Sequence, residues 1–178
     1  MKKEVADLLS YLDSSDTEEK SAAIADIALL LEMNTFILNG ANIATMEEEF
    51  KKFLDEELLS IRLSIEEQKE IVDELIERIC AKDELSSSMF WAIGKSHASV
   101  GFPRLTEVIK RYWKTFDDKT SYQSMIALEN FIDHYYNRSL MEKLLPMDEE
   151  IMDFVRIKSE SSNEKVAELA NRILNGLC

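Results

Sequence analysis

Between Leu85 and Ile132 the chain repeats one pattern: a stretch with apolar residues three and four apart, then a short polar break. The first stretch ends in Trp91-Ala92-Ile93-Gly94. Phe102-Pro103 opens the second, which carries Leu105, Val108, Ile109 and Tyr112. The third holds Met125, Leu128, Phe131 and Ile132. Spacing of three and four lines one face of an α-helix. A helix with one such face must bury it against another element, so short consecutive helices imply stacked hairpins. The 178 residues include only four Gly and two Pro, too few for a fold of many tight strand turns. Ile37-Leu38 and residues 60–63 are too short to outweigh the helical period.

The same periodicity extends in both directions. Val5, Leu8, Leu9 and Leu12 mark a short amphipathic helix over 3–12. Asp16 with Glu19 is expected to cap a longer helix carrying Ala23, Ile24, Ile27, Leu30 and Leu31, ending before Gly40. Thr45 with Glu48, Ser64 with Glu67, and Ser161 with Glu164 have the capping-box spacing, in which hydroxyl and carboxylate satisfy two orphaned backbone donors. The first would open a helix through Phe50, Phe53, Leu54 and Leu58; the second, one bearing Ile65, Ile71, Val72, Leu75, Ile76 and Ile79; the third, one bearing Val166, Leu169, Ala170, Ile173 and Leu174, ended by Gly176. Gly94 is expected as a left-handed cap closing a helix over 84–94. Pro103 is expected in the first turn of the next helix. Helices over about 120–136, 138–145 (stopped by Pro146) and 148–157 complete the reading. It is all-α, with about nine or ten helices in one domain, 1–178.

The net charge is −14. It argues against nucleic acid, whose phosphates need clustered Lys and Arg, and against anionic membrane surfaces. It favours basic protein partners, although acidity also serves solubility. The charge is uneven: −5 over 1–45, −7 over 46–100, +1 over 101–145 and −3 over 146–178. From Glu47 to Glu77 acids outnumber bases twelve to four. Most fall between apolar positions, as on a solvated helix face, with partners such as Lys52 for Glu48 and Lys69 for Glu66. A phosphate-like array of carboxylates filling a nuclease groove is the sharper alternative.

Cys80 and Cys178 make neither a disulfide framework nor a metal site. Cys80 is expected as a small core residue and Cys178 as exposed. The start, Met1-Lys2-Lys3-Glu4, lacks the apolar run of a signal peptide. No stretch is expected to reach the roughly 20 apolar residues that span a bilayer, so the expected compartment is the cytoplasm.

Three segments align with one another: residues 85–94, a looser stretch ending Leu128-Glu129-Asn130-Phe131-Ile132-Asp133, and residues 166–175. Each ends in an apolar pair with another apolar residue three before it, at intervals of about 40 residues. With Trp91-Ala92-Ile93-Gly94 leading into Pro103-Arg104-Leu105, the chain resembles HEAT/armadillo-like repeat proteins. The resemblance covers 65–177; residues 1–60 match only as generic helical hairpins. Ser86 and Ala167 stand where the family usually has Arg. The resemblance implies a right-handed stack of antiparallel hairpins, a protein-binding surface along the second helices, and no chemistry of its own. A compact irregular bundle is the alternative. In size, charge and architecture the chain is also similar to bacterial immunity proteins of contact-dependent inhibition and related polymorphic toxin systems. That likeness implies neutralisation of a basic toxin domain such as a nuclease.

Tyr122, Ile126, Glu129, Asp133 and Tyr136 recur at steps of four and three and share one helix face. Tyrosines offer contact area at little entropic cost, and carboxylates pair with Arg or Lys, which suits a basic partner. Packing of the tyrosines against neighbouring helices is the alternative. Trp91 lies off the face of Leu85, Met89, Ala92 and Ile93 and is a candidate anchor, as is Glu168 on the last helix. His97 is a candidate contact in the 95–101 loop. Neither His97 nor His134 has a Glu three residues earlier, so the Glu-x-x-His pattern of di-iron bundles is absent. Asp133 and His134 are adjacent and diverge around the helix. No phosphate loop, nucleophile elbow or cofactor motif occurs. The expected function is therefore non-enzymatic neutralisation of a basic partner, with a scaffold as the alternative and a bundle enzyme or ligand binder behind it. The sequence leaves the oligomeric state open.

Overall fold

The computed structural model describes residues 2–136 and 148–176, and the backbone alone for 133–136. Among the described residues there are ten α-helices and no strand. They are α1 (Lys3–Ser10), α2 (Thr17–Leu38), α3 (Ile43–Phe50), α4 (Glu56–Leu59), α5 (Ile65–Cys80), α6 (Ser86–Ile93), α7 (Ala98–Tyr112), α8 (Asp118–Tyr136), α9 (Glu149–Ser159) and α10 (Glu164–Gly176); a 3₁₀ turn, Tyr11–Asp13, follows α1. The expected helix over 138–145 and the expected exposure of Cys178 lie outside the described residues.

Short links join α5 to α6, α7 to α8 and α9 to α10, and each pair packs together. Between pairs, α2 contacts α6, α6 contacts α8, and α8 contacts α10; α5 contacts α7, and α7 contacts α9. The helices thus form two series, one of α2, α6, α8 and α10 and one of α5, α7 and α9. The N-terminal turns and α3 pack on α2. The buried apolar residues make one continuous cluster, from Val5 through Leu31, Leu75, Phe90, Leu128 and Phe154 to Ile173.

The caps fall partly where the sequence puts them. Ser64 forms the full box: its hydroxyl accepts from the Glu67 N–H, and the Glu67 carboxylate accepts from the Ser64 N–H at 2.9 Å. Asp16 caps α2 through the Glu18 and Glu19 N–H groups, but its own N–H donates to Ser14 Oγ, not to Glu19. The other two boxes do not form. Asn42 caps α3, accepting from the Thr45 N–H at 3.2 Å, because Asn is the stronger cap. That helix stops at Phe50, and Asp55 starts the separate short α4. Likewise Asn163 accepts from the Val166 N–H, while Ser161 Oγ holds the Asn163 N–H.

Four further expectations are corrected. Gly94 has φ −63°, an ordinary helical value; what requires glycine is contact, since a Cβ there would lie 2.7 Å from the Ala127 Cα of α8. Pro103 sits inside α7, which begins five residues earlier behind His97. The proline leaves the Ser99 carbonyl without its helical donor, at an exposed residue. Cys80 is exposed: it stands one step past Ile79, off the face of Ile71, Val72, Leu75 and Ile79. Finally, α2 is long and apolar enough to cross a membrane, the one such helix among the described residues. Much of that apolarity serves the core, through Ile24, Ile27, Leu30, Leu31 and Met33.

Candidate partner-binding face

Each helix of the α2–α6–α8–α10 series buries one stripe and turns another outward. The outward positions follow the helical period: Leu29, Glu32 and Phe36 on α2; Ser88, Trp91 and Lys95 along and just beyond α6; Tyr122, Ile126 and Glu129 on α8; Lys165, Glu168 and Arg172 on α10. All are partly or fully exposed. The four helices are neighbours in order of packing, so these stripes follow one series of helices.

Polar bonds tie the stripes together. Glu32 of α2 pairs with Lys95 at 2.7 Å, and the Lys95 ammonium stands 5.8 Å from the Trp91 ring centroid. Thr35 Oγ1 donates to the Lys95 carbonyl at 3.1 Å. The Arg172 guanidinium grips both oxygens of the Glu129 carboxylate, the Nη2 contact at 2.7 Å. The fork joins α8 to α10. An Arg–carboxylate fork is the most directional ion pair available to side chains.

Trp91, Tyr122, Glu129 and Glu168 thus come together on one series of helices. Trp91 and Tyr122 are partly buried and pack against the core. Glu129 is engaged by Arg172, whereas Glu168 is exposed. The backbone of α8 carries Asp133 and Tyr136 onward in the same register, and their side chains lie outside the described residues. His97 is not on this face. It caps α7: its Nδ1 accepts from the Ser99 N–H and lies 2.8 Å from Ser99 Oγ. Its backbone N–H donates to the buried Gln68 Oε1 at 2.8 Å. The loop histidine therefore positions a helix start against α5.

Several acids of α3–α5 are held in ion pairs and others are not. Glu47 pairs with Arg62, Glu48 with Lys51, Asp73 with Arg104 and Lys69, and Glu74 with Arg78. These replace the expected Glu48–Lys52 and Glu66–Lys69 pairs. Glu49, Glu56 and Glu57 are exposed and form no ion pair with another described residue. Asp26 on α2 is a third kind: burial, and then the nearby charge of Asp55, push its carboxyl above the usual carboxylate range.

The sequence reading missed the apolar side chains at the α2–α3 corner. Phe36, Leu38, Ile43 and Phe53 are exposed by 46, 41, 46 and 58%. For Phe36 and Leu38 the signal was present in α2, whose apolar residues continue around the whole helix instead of keeping to one stripe.

One cleft of about 360 Å³ opens where α5 and α7 end and α6 and α8 begin. Cys80, Lys82, Phe90, Tyr112, Asp117 and Lys119 line it. The Tyr112 hydroxyl meets the Cys80 thiol, a hydrogen bond that, with burial, raises the phenol's pKa. Asp117 is lowered, first by the Thr120 hydroxyl and then by the Thr120 N–H it accepts at 2.7 Å, so it acts as the cap of α8. No histidine lines the cleft, which leaves the thiol without a neighbouring base of that kind. Among the described residues no three His, Cys, Asp or Glu side chains gather closely enough to hold a metal ion.

No family model matches the chain, and no curated protein matches it. Among solved structures it is similar to a crystal structure of an engineered protein, at 14% identity over 99% of this chain and 97% of that one, with a TM-score of 0.33.

Proposed function

We propose that this chain is a binding protein that neutralises a basic protein partner, in the manner of a cytoplasmic bacterial immunity protein blocking a nuclease toxin. It acts by covering the partner, without chemistry of its own. The single observation that carries this reading is the set of exposed carboxylates, Glu49, Glu56, Glu57 and Glu168, on a chain of net charge −14. Such carboxylates raise the encounter rate with a cation-rich surface and pair with it on docking. The two packed series of helices support a HEAT-like, right-handed stack as the scaffold. Its second helices would present Trp91, Tyr122, Glu129, Asp133, Tyr136 and Glu168 to the partner.

The test is capture from the source lysate at low and high salt, followed by purification of the captured protein. A single basic partner is expected, whose nuclease activity falls on titration with this protein and whose affinity weakens as salt rises. An acidic partner, or an affinity indifferent to salt, overturns the reading. A scaffold role is the second reading, favoured by the exposed apolar corner of α2 and α3. It is supported instead if several partners remain bound at high salt.

A further inference from the structure

Neutralisation of a partner makes no use of the cleft of about 360 Å³ where α5 and α7 end and α6 and α8 begin. Its volume falls within the roughly 300–1,000 Å³ typical of small-molecule sites. Part of its wall is apolar. Ile79, Phe116 and the Tyr112 ring line it, and Phe116 meets Phe90 edge to face at 5.2 Å between centroids.

The polar part of the wall centres on an unused donor. Ser87, in the first turn of α6, lines the cleft and is 4% exposed. Among the described residues neither its hydroxyl nor its N–H meets a hydrogen-bond partner. Buried polar groups are nearly always paired, so a serine of this kind on a cavity wall fits an acceptor brought by a ligand. The start of α6 points the same way. No side chain caps it and no acid stands in its first turn, which leaves the positive end of the helix dipole open to an anion.

The charges along the wall are unequally engaged. Asp83 is held by Lys20 at 3.1 Å and accepts from the Leu85 N–H at 2.8 Å. Glu84 accepts from the Thr17 hydroxyl at 3.2 Å, and Asp117 caps α8 through Thr120. Lys82 and Lys119 line the same cleft and enter no hydrogen bond or ion pair among the described residues. Their flexible stems let both ammoniums follow a charged group inside the cleft. A cationic ligand would leave these ammoniums and the Ser87 donors unused, and the carboxylates that would attract it are already taken.

We propose that this cleft binds a small aromatic anion, a carboxylate or a phosphate monoester. Its charge is met by Lys82, Lys119 and Ser87, and its ring packs on Ile79, Phe116 and Tyr112. The assignment is independent of neutralisation, which uses other residues.

The exposed Cys80 thiol in the same wall supplies a reporter. Phenylacetate and phenyl phosphate are titrated into the full chain, with phenylacetamide and phenethylamine as neutral and cationic counterparts. Backbone amide resonances are followed, and the rate at which iodoacetamide alkylates Cys80 is read by peptide mass spectrometry. At least one anion is expected to bind with a Kd of about 1 mM or tighter. It should shift resonances within 79–90 and 112–120 and slow the alkylation over the same concentrations. The amide and the amine should bind about tenfold more weakly, for want of charge-assisted hydrogen bonds. Lys82→Gln/Lys119→Gln should weaken the anion about tenfold, and Ser87→Ala about fivefold. Circular dichroism and melting curves verify that the variants are folded, and the comparison of probes on the parent chain needs no variant. Failure of both anions to bind the parent overturns the inference. So does equal binding of the amide or the amine, undiminished binding to either folded variant, or shifts centred away from the cleft.

Discussion

Along α8, Met125, Ala127, Leu128 and Phe131 are buried, while the outward residue Glu129 is fastened to Arg172 of α10. Along α2, Ile24, Ile27, Leu30 and Leu31 are buried just as deeply, yet Phe36 and Leu38 on its last turn face water. The first helix is amphipathic and fastens its outward carboxylate to a neighbouring helix. The second is apolar nearly all round and leaves its surplus uncovered. An apolar residue on the outside contributes almost nothing to the stability of the chain that carries it. The two regions therefore separate what holds this fold together from what remains available for contact.

The sharpest way to break this comparison is to truncate one phenylalanine on each side of it. Phe90, fully buried beneath Phe116 at 5.2 Å between centroids, should cost about 3–5 kcal/mol on change to Ala. Thermal unfolding would show this as a fall in Tm of roughly 6–20 °C. Phe53→Ala should stay within about 0.5 kcal/mol of the parent. Equal losses at the two sites would mean that the corner is part of the core. Gly94→Ala comes next: it presses a methyl group into the backbone of α8 and should cost about 1–3 kcal/mol, measured by denaturant unfolding. The caps sharpen the contrast further, since Ser64→Ala should cost about 1 kcal/mol whereas Thr45→Ala, at a box that does not form, should cost a few tenths at most. Glu129→Gln should cost no more than about 1 kcal/mol, and the loss should shrink as salt is added; an undiminished loss would show that burial, not charge, holds α8 to α10.

Asp26 gives the smallest effect and the one with a pH signature. Its carboxyl is raised in the folded chain, so ionisation is less favourable folded than unfolded and weakens the fold at neutral pH. Asp26→Asn should raise the Tm at neutral pH. The gain should fade as the pH falls through the carboxylate range, where Asp26 becomes protonated in both states. A gain that persists in acid would assign the effect to packing instead.

Much of the fold is legible in the sequence because apolar spacing carries it. The helices around Ile71, Leu105, Leu128 and Leu169 lie where their periodicity puts them. Element ends were harder, for a physical reason: a capping box is a competition. Ser64 has no competing cap close by and wins, whereas Thr45 and Ser161 each lose to an asparagine within three residues. Gly94 and Pro103 misled because each has two uses, and the contact with Ala127 that decides the glycine comes from a residue 33 positions away. Of the candidate face, the outward register of Trp91, Tyr122, Glu129 and Glu168 was legible. That Arg172 would occupy Glu129, and that His97 would also cap a helix, depended on three-dimensional neighbours. The corner was overlooked because Phe53 was read into a continuing helix that Asp55 in fact restarts.

The packing of α2 against α6 also has a consequence in time. Helix α2 is complete at residue 38, but α6 begins only at residue 86. At about 5–20 residues per second on the ribosome, the apolar flank of α2 waits several seconds for its cover. During that interval the nascent chain is a ready client for any holdase that recognises an apolar helix. A fragment ending after α4 should accordingly bind hydrophobic dyes more strongly than the full chain does.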